Sequence, residues 1–175
     1  MSTNQRSLWW ARVWLALFIV GLVLSGLTAI PLPSEVDFLQ RVAGEGSWIE
    51  GWWPDVALWV SRVYRGVAEV RREQPFLFYG TDWLAFGHVI IAIMFIGPLR
   101  DPMRNLWVIN AGMIACVLVI PWAFVFGPIR GIPFFWQLLD CSFGVAGIVP
   151  LYLARRHTRM VALRTGDVRP RVPES

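Results

Sequence analysis

Four apolar runs dominate this chain, at residues 13–30, 79–98, 106–126 and 134–154. Each approaches the ~20 residues that a helix needs to cross about 30 Å of hydrocarbon. Peptide N–H and C=O groups find no water in that layer, so a helix, which bonds internally, is the economical solution. Composition agrees: 56% of the residues are hydrophobic and 16% charged, against roughly 25% charged in a soluble domain. The expected fold is all-α, a four-transmembrane-helix bundle with an extra interfacial amphipathic helix in its first outer loop. Residues 1–154 form a single membrane domain with that loop at 31–78, and residues 155–175 form a basic tail.

The first run resembles a signal peptide in outline, since Arg6 and Arg12 precede it and small residues follow at Ser25–Ala29. Leu27 suits the −3 position of a cleavage site poorly and the apolar run is long, so the segment is expected to remain as a span.

Charge sets the expected orientation. All 16 basic residues are arginine. Arg6 and Arg12 precede the first span, and Arg100 and Arg104 lie in the tight connection after the second. Arg155, Arg156, Arg159, Arg164, Arg169 and Arg171 follow the fourth. The opposite side carries fewer arginines and most of the acids. The positive-inside rule then places both termini in the cytoplasm of a bacterial inner membrane. The basic tail reads as a topology determinant that also attracts anionic lipid. It lacks a folded motif with interleaved aromatics, so no nucleic-acid partner is expected.

Without lysine there is no Schiff-base or Walker chemistry. Cys116 and Cys141 both lie inside spans without a CxxC or a His/Cys cluster, so neither a metal site nor a disulfide is expected. No cofactor is expected either.

The loop at 31–78 is too long to be mere connection. Ser34 reads as the cap of a short helix at 35–42. Pro54 and Asp55 start a second helix, on which Val56, Trp59, Val60, Val63, Val67 and Val70 form one apolar stripe. Ser61, Arg62, Arg65, Glu69 and Arg72 occupy its other faces. With Trp48, Trp52 and Trp53 at its start, this helix is expected to lie in the outer interface, its stripe turned toward the bundle. Two Gly-Pro pairs, Gly97-Pro98 and Gly127-Pro128, read as helix stops.

The candidate site is a polar layer under the outer surface. Asp82 sits in the first turn of the second span, and His88 follows six residues later, about 9 Å deeper. The fourth span enters from the same side near Phe134, so Asp140 reaches nearly the same depth, with Arg130 just above. Small or polar residues repeat at helical spacing on three spans: Gly21, Ser25 and Thr28; Ala85, His88 and Ala92; Asp140, Gly144 and Gly147. Such stripes permit close helix contact in lipid. The expectation is that His88 and Asp140 meet in the interior. An intramembrane carboxylate costs about 3 kcal/mol on insertion scales, which makes function or a structural clamp the alternatives. His157 lies beyond the fourth span on the opposite side, so His88 could ligate a haem or pigment only as a single axial ligand.

The segments GTDWLAFGHVIIAIMFIGPLRDPMRN and GPIRGIPFFWQLLDCSFGVAGIVPL resemble those of an uncharacterised family of small bacterial four-span membrane proteins. The likeness implies a bacterial inner-membrane protein and brings no assigned activity. The chain is also similar, more faintly, to the VanZ-like family, which opens its second span with an aspartate and a histidine. That family also has an arginine, then an aspartate and small residues, at its fourth span. Asp82, His88, Arg130, Asp140, Gly144 and Gly147 match that pattern, but the Asp82–His88 and Arg130–Asp140 spacings and the outer loop are longer.

Two classes of function follow. The first is a structural or accessory subunit that packs on lipid and on membrane-protein partners or its own copies. The second is a small enzyme or transporter in which His88 and Asp140 handle protons, with Arg130 and Asp82 as further candidates.

Overall fold

The computed structural model describes residues 2–166. Every regular element among them is helical. They are α1 (Thr3–Thr28), α2 (Leu32–Ala43), α3 (Pro54–Glu73), a 3-10 turn (Pro75–Phe78), α4 (Tyr79–Met94), α5 (Ile96–Arg100), α6 (Leu106–Ile129) and α7 (Phe134–Thr165). Four helical stretches are long and apolar enough to cross a membrane: Thr3–Thr28, Pro75–Arg100, Leu106–Ile129 and Phe134–Thr165. The chain is therefore a multi-pass membrane protein. It forms two compact units, one of Met1–Gly21 with Ile91–Ser175 and the other of Leu22–Ile90.

The first unit is organised by the α6–α7 hairpin. Gly144 leaves room for the backbone carbonyl of Cys116, and a Cβ added at Gly147 would lie 2.9 Å from the Cys116 Sγ. At Gly112 an added Cβ would meet the Phe95 ring at 2.6 Å and Leu151 at 3.0 Å. Missing side chains thus set how closely these helices approach, as is usual where lipid gives apolar groups no reason to cluster. Ala11, Leu15, Ile109, Leu151, Ala154 and Thr158 are fully enclosed. Phe18 packs on Phe95 with ring centroids 4.7 Å apart. Arg12 donates to the Arg100 carbonyl at 3.1 Å, which covers the negative end of α5.

Three helix ends in this unit differ from the sequence expectation. The second span breaks at Phe95, before Gly97-Pro98, and resumes as α5, which runs through Pro98. Proline has no N–H to offer the carbonyl four residues back, at Met94, and α4 ends there. The third span continues through Gly127-Pro128 to Ile129. Its stop is Gly131, at φ 67°. Gly131 N–H bonds the Pro128 carbonyl at 3.1 Å and Ile132 N–H bonds the Gly127 carbonyl at 2.9 Å, the paired bonds of a Schellman end. The fourth span does not stop at 154. Instead α7 runs 32 residues to Thr165 and ends on Gly166 at φ 70°. Most of the expected tail is thus a helical extension carrying Arg155, Arg156, Arg159 and Arg164, held by the buried Ala154, Thr158 and Val161. Arg169 and Arg171 lie outside the described residues. Pro150 sits at the midpoint of α7.

In the second unit, α2 and α3 form a helical hairpin. α2 begins at Leu32, a turn earlier than expected, because Pro31 and Pro33 supply a first turn that needs no N–H. Ser34 does not cap it with its side chain. α3 starts at Pro54 as expected. Its buried line is Ala57, Val60 and Ser61, whereas Val56, Trp59, Val63 and Val67 are only half-buried. Ser61, which the sequence pattern put on a solvent face, is 2% exposed. Its Oγ–H donates to Gln40 Oε1 at 3.0 Å and its oxygen accepts the Glu45 N–H at 2.8 Å. Arg65–Glu45 and Arg71–Asp37 ion pairs, each 3.0 Å, tie the remaining edges.

Candidate functional site

His88 lies in the second unit, on α4. Its Nδ1 is 2.8 Å from the Leu84 carbonyl oxygen one turn back. A carbonyl can only accept, so Nδ1 carries the proton and a neutral ring keeps its lone pair on Nε2. The ring is positioned by α1: a Cβ added at Gly26 would stand 2.6 Å from His88 Cβ and 3.2 Å from the Ala85 carbonyl. Gly26 is buried, whereas Gly21, Ser25 and Thr28 are exposed. The α1 contact face is thus offset from the stripe read in the sequence, and only the glycine directly facing His88 Cβ reveals it. On α4 the expectation holds at Ala85 and Ala92, both buried.

Asp82 stands exposed in the first turn of α4. The neighbouring Thr81 hydroxyl donates to the Phe78 carbonyl at 2.7 Å, closing the entry to the helix.

Asp140, Arg130, Gly144 and Gly147 belong to the first unit. Asp140 is half-buried on α7, beside Cys141 and one turn before Gly144, both buried. Among the described residues of its own unit its carboxylate makes no hydrogen bond or ion pair. Arg130 closes α6, its N–H bonded to the Phe126 and Gly127 carbonyls at 3.0 and 3.1 Å, and its side chain is exposed. The residue that the sequence reading missed is Gln137. It is 4% exposed. Its Nε2 donates to the Ile132 carbonyl at 2.8 Å, and its side chain fills the space left by Gly127, where a Cβ would come within 2.5 Å. The signal was available: a glutamine early in an apolar helix, one turn before Cys141, with a glycine ten residues upstream.

His88 Nε2 is the nitrogen donor that α4 offers to a ligand. Among the described residues no three His, Cys, Asp or Glu side chains gather where they could hold a metal ion. Cys116 and Cys141 are free thiols, the first half-buried and the second buried. His157 lies in the arginine-rich part of α7 and is half-buried. No family model, curated protein or solved structure matches this chain.

Proposed function

We propose that the protein is a structural or accessory subunit of a bacterial inner membrane, with both termini cytoplasmic and the α2–α3 hairpin outside. Kinship with the small four-span bacterial family is part of this reading. The observation that carries it is how the polar side chains of the spans are satisfied. His88 bonds the Leu84 carbonyl, Thr28 the Ser25 carbonyl, Ser142 the Leu139 carbonyl and Thr158 the Ala154 carbonyl. Each turns back onto its own helix. Apart from Asp140, whose carboxylate has no such bond among the described residues of its unit, the spans present mainly apolar and small surfaces outward, above all on α6. There Trp107, Ile114, Leu118, Trp122 and Val125 lie on one exposed stripe beside the small pair Ala111 and Ala115.

A photo-crosslinking residue at Leu118 tests this in native membranes. A discrete protein adduct, whether with another chain or a second copy, is the expected result. Adducts to lipid alone overturn the subunit reading.

A second reading, drawn from the matched depth of the two residues in the sequence and from the Nδ1 bond that leaves the His88 Nε2 lone pair to other partners, is a proton-sharing pair with Asp140. Because Leu84 holds the Nδ1 proton, a bond between Nε2 and a carboxyl oxygen requires one proton between them. That proton sits either on the acid or on an imidazolium, so the contact handles a proton by construction. The chain has 2 histidines, so nitrogen-15 NMR of labelled histidine gives two resolvable ring systems. Asp140→Asn moves the His88 Nε2 signal if the pair exists and leaves it in place if it does not.

A further inference from the structure

The loop joining α2 to α3, residues 44–53, reads GEGSWIEGWW and carries two carboxylates and three indoles. Both carboxylates are turned back onto the protein. Glu45 pairs with Arg65 at 3.0 Å, and Glu50 accepts the Gly46 N–H at 2.7 Å. Gly46 itself takes φ 84°, which lets the chain fold over that bond. Backbone bonds from Ser47 to Gly44 and from Trp53 to Ile49 close the turns. Glu45 N–H is fixed to Ser61 Oγ at 2.8 Å. The loop is an ordered cap.

Beside these engaged but exposed acids, the cap presents tryptophan. Trp48, Trp52 and Trp53 are 71%, 77% and 64% exposed. Three exposed indoles within six residues are apolar surface of the kind that marks an interaction site. No arginine lies within the loop, so nothing there selects an anionic partner. Both loop carboxylates stay exposed, Glu45 paired with Arg65 and Glu50 bonded to the Gly46 N–H, and Asp55 follows in the first turn of α3. Flat apolar rings, each with one N–H donor and with the neighbouring carboxylates already bonded to Arg65 and the Gly46 N–H, match the glycerol–carbonyl zone of a phospholipid bilayer.

The stems of the hairpin bring that zone within reach. The first span ends at Thr28 and α2 starts at Leu32. α3 ends at Glu73 and leads through the Pro75–Phe78 turn into the second span. Phe76 and Leu77 in that turn are also exposed, so the apolar surface runs from the span into the base of the hairpin. At 1.5 Å per residue α2 extends about 18 Å and α3 about 30 Å. A hairpin standing upright would carry its indoles far into water; one lying down returns them to the membrane.

We propose that the tryptophan cap docks into the interfacial zone of the bilayer that α1 and α4 cross, so that α2–α3 lies along the surface as a strap pinned at both ends. Docking is independent of lipid charge. This rests on the multi-pass reading of the spans and not on the proposed subunit role.

The test uses the full chain with Cys116→Ala and Cys141→Ala, reconstituted in phosphatidylcholine vesicles with or without phosphatidylglycerol. A nitroxide goes on Gly51→Cys, where an added Cβ meets nothing nearer than the Trp48 carbonyl at 3.7 Å, so all three indoles stay in place. A second goes on Glu69→Cys, on the exposed polar side of α3. The expected result is a higher ratio of oxygen to nickel-chelate collisions at position 51 than at position 69, equal in both vesicle types. A ratio at 51 as low as at 69 places the cap in water and overturns the proposal. Shielding from both reagents means that protein covers it and also overturns it, and dependence on phosphatidylglycerol overturns charge independence.

Should the cysteine-free chain not fold, the wild-type chain in vesicles of brominated phosphatidylcholine gives the same decision. Trp48→Ser, Trp52→Ser and Trp53→Ser together must lower the fraction of quenchable fluorescence. An unchanged fraction overturns the docking.

Discussion

The two helical hairpins of this protein are joined by opposite means. Between α2 and α3 the contacts run through polar side chains: Ser61 bridges Gln40 and the Glu45 N–H, and Arg65 and Arg71 reach Glu45 and Asp37. Between α6 and α7 the contacts depend on side chains that are missing, with Gly144 and Gly147 against Cys116. Solvent explains the difference. In water, apolar burial drives helices together at roughly 25 cal/mol per Å², and polar bonds fix their register. In hydrocarbon that driving force disappears, and close van der Waals approach over glycine replaces it.

Substitutions at the two seams should behave accordingly. The largest effect is expected at Gly144→Leu, whose Cβ has no space beside the Cys116 carbonyl, a backbone atom that cannot swing away. A loss of about 3 kcal/mol is expected, at the upper end of overpacking costs, read from SDS-induced unfolding in mixed micelles. A variant as stable as the parent breaks the comparison at its lipid side.

Ser61→Ala comes next. It leaves the Gln40 oxygen and the Glu45 N–H without their partner and should cost about 1–2 kcal/mol. Hydrogen exchange at the Glu45 amide should quicken about 5- to 30-fold, the same free energy expressed as a ratio. Unchanged exchange would show that the bridge does not hold the hairpin.

Gly66→Ala should act in the opposite direction. Gly66 lies within α3 with nothing within 4 Å of an added Cβ, so replacing it should stabilise the hairpin by about 0.5–1 kcal/mol. A rise in the thermal midpoint of the hairpin's helical signal checks it, and together with Gly144→Leu it separates a glycine that makes a contact from one that makes none. The smallest effect is expected at Arg71→Ala. Its pair with Asp37 is partly exposed, at 49% and 29% for the two side chains. The expected loss is below about 1 kcal/mol, fading in 1 M salt. A salt-independent loss would mean that Arg71 acts through packing of its stem instead.

What was legible in the sequence follows the same division. The four spans announce themselves through apolar length, and α3 through Pro54 and Asp55, because those signals are local. Ser61 does not, since its burial depends on partners 21 and 16 positions away. The extension of α7 was obscured by its arginines, although Ala154, Thr158, Val161 and Thr165 keep helical spacing through them. The end of α6 was misplaced because Gly127-Pro128 reads as a stop more strongly than Gly131, while the backbone uses the glycine that can adopt positive φ. For the candidate residues, the helices that carry His88 and Asp140 were legible, as was the burial of Ala85. Gly26 and Gln137 were not, because their roles lie in what stands opposite them.

Pro150 gives α7 a mechanical character that its length alone does not. A helix of 32 residues is about 48 Å long, well beyond a bilayer's hydrocarbon. Proline at its centre withholds the N–H that the Ala146 carbonyl would otherwise accept, and its ring crowds that turn. The helix is therefore stiff along two arms and compliant at one joint. A pull on the arginine-bearing arm is relieved by flexing at Pro150, and the arm that carries Asp140 keeps its seat on α6.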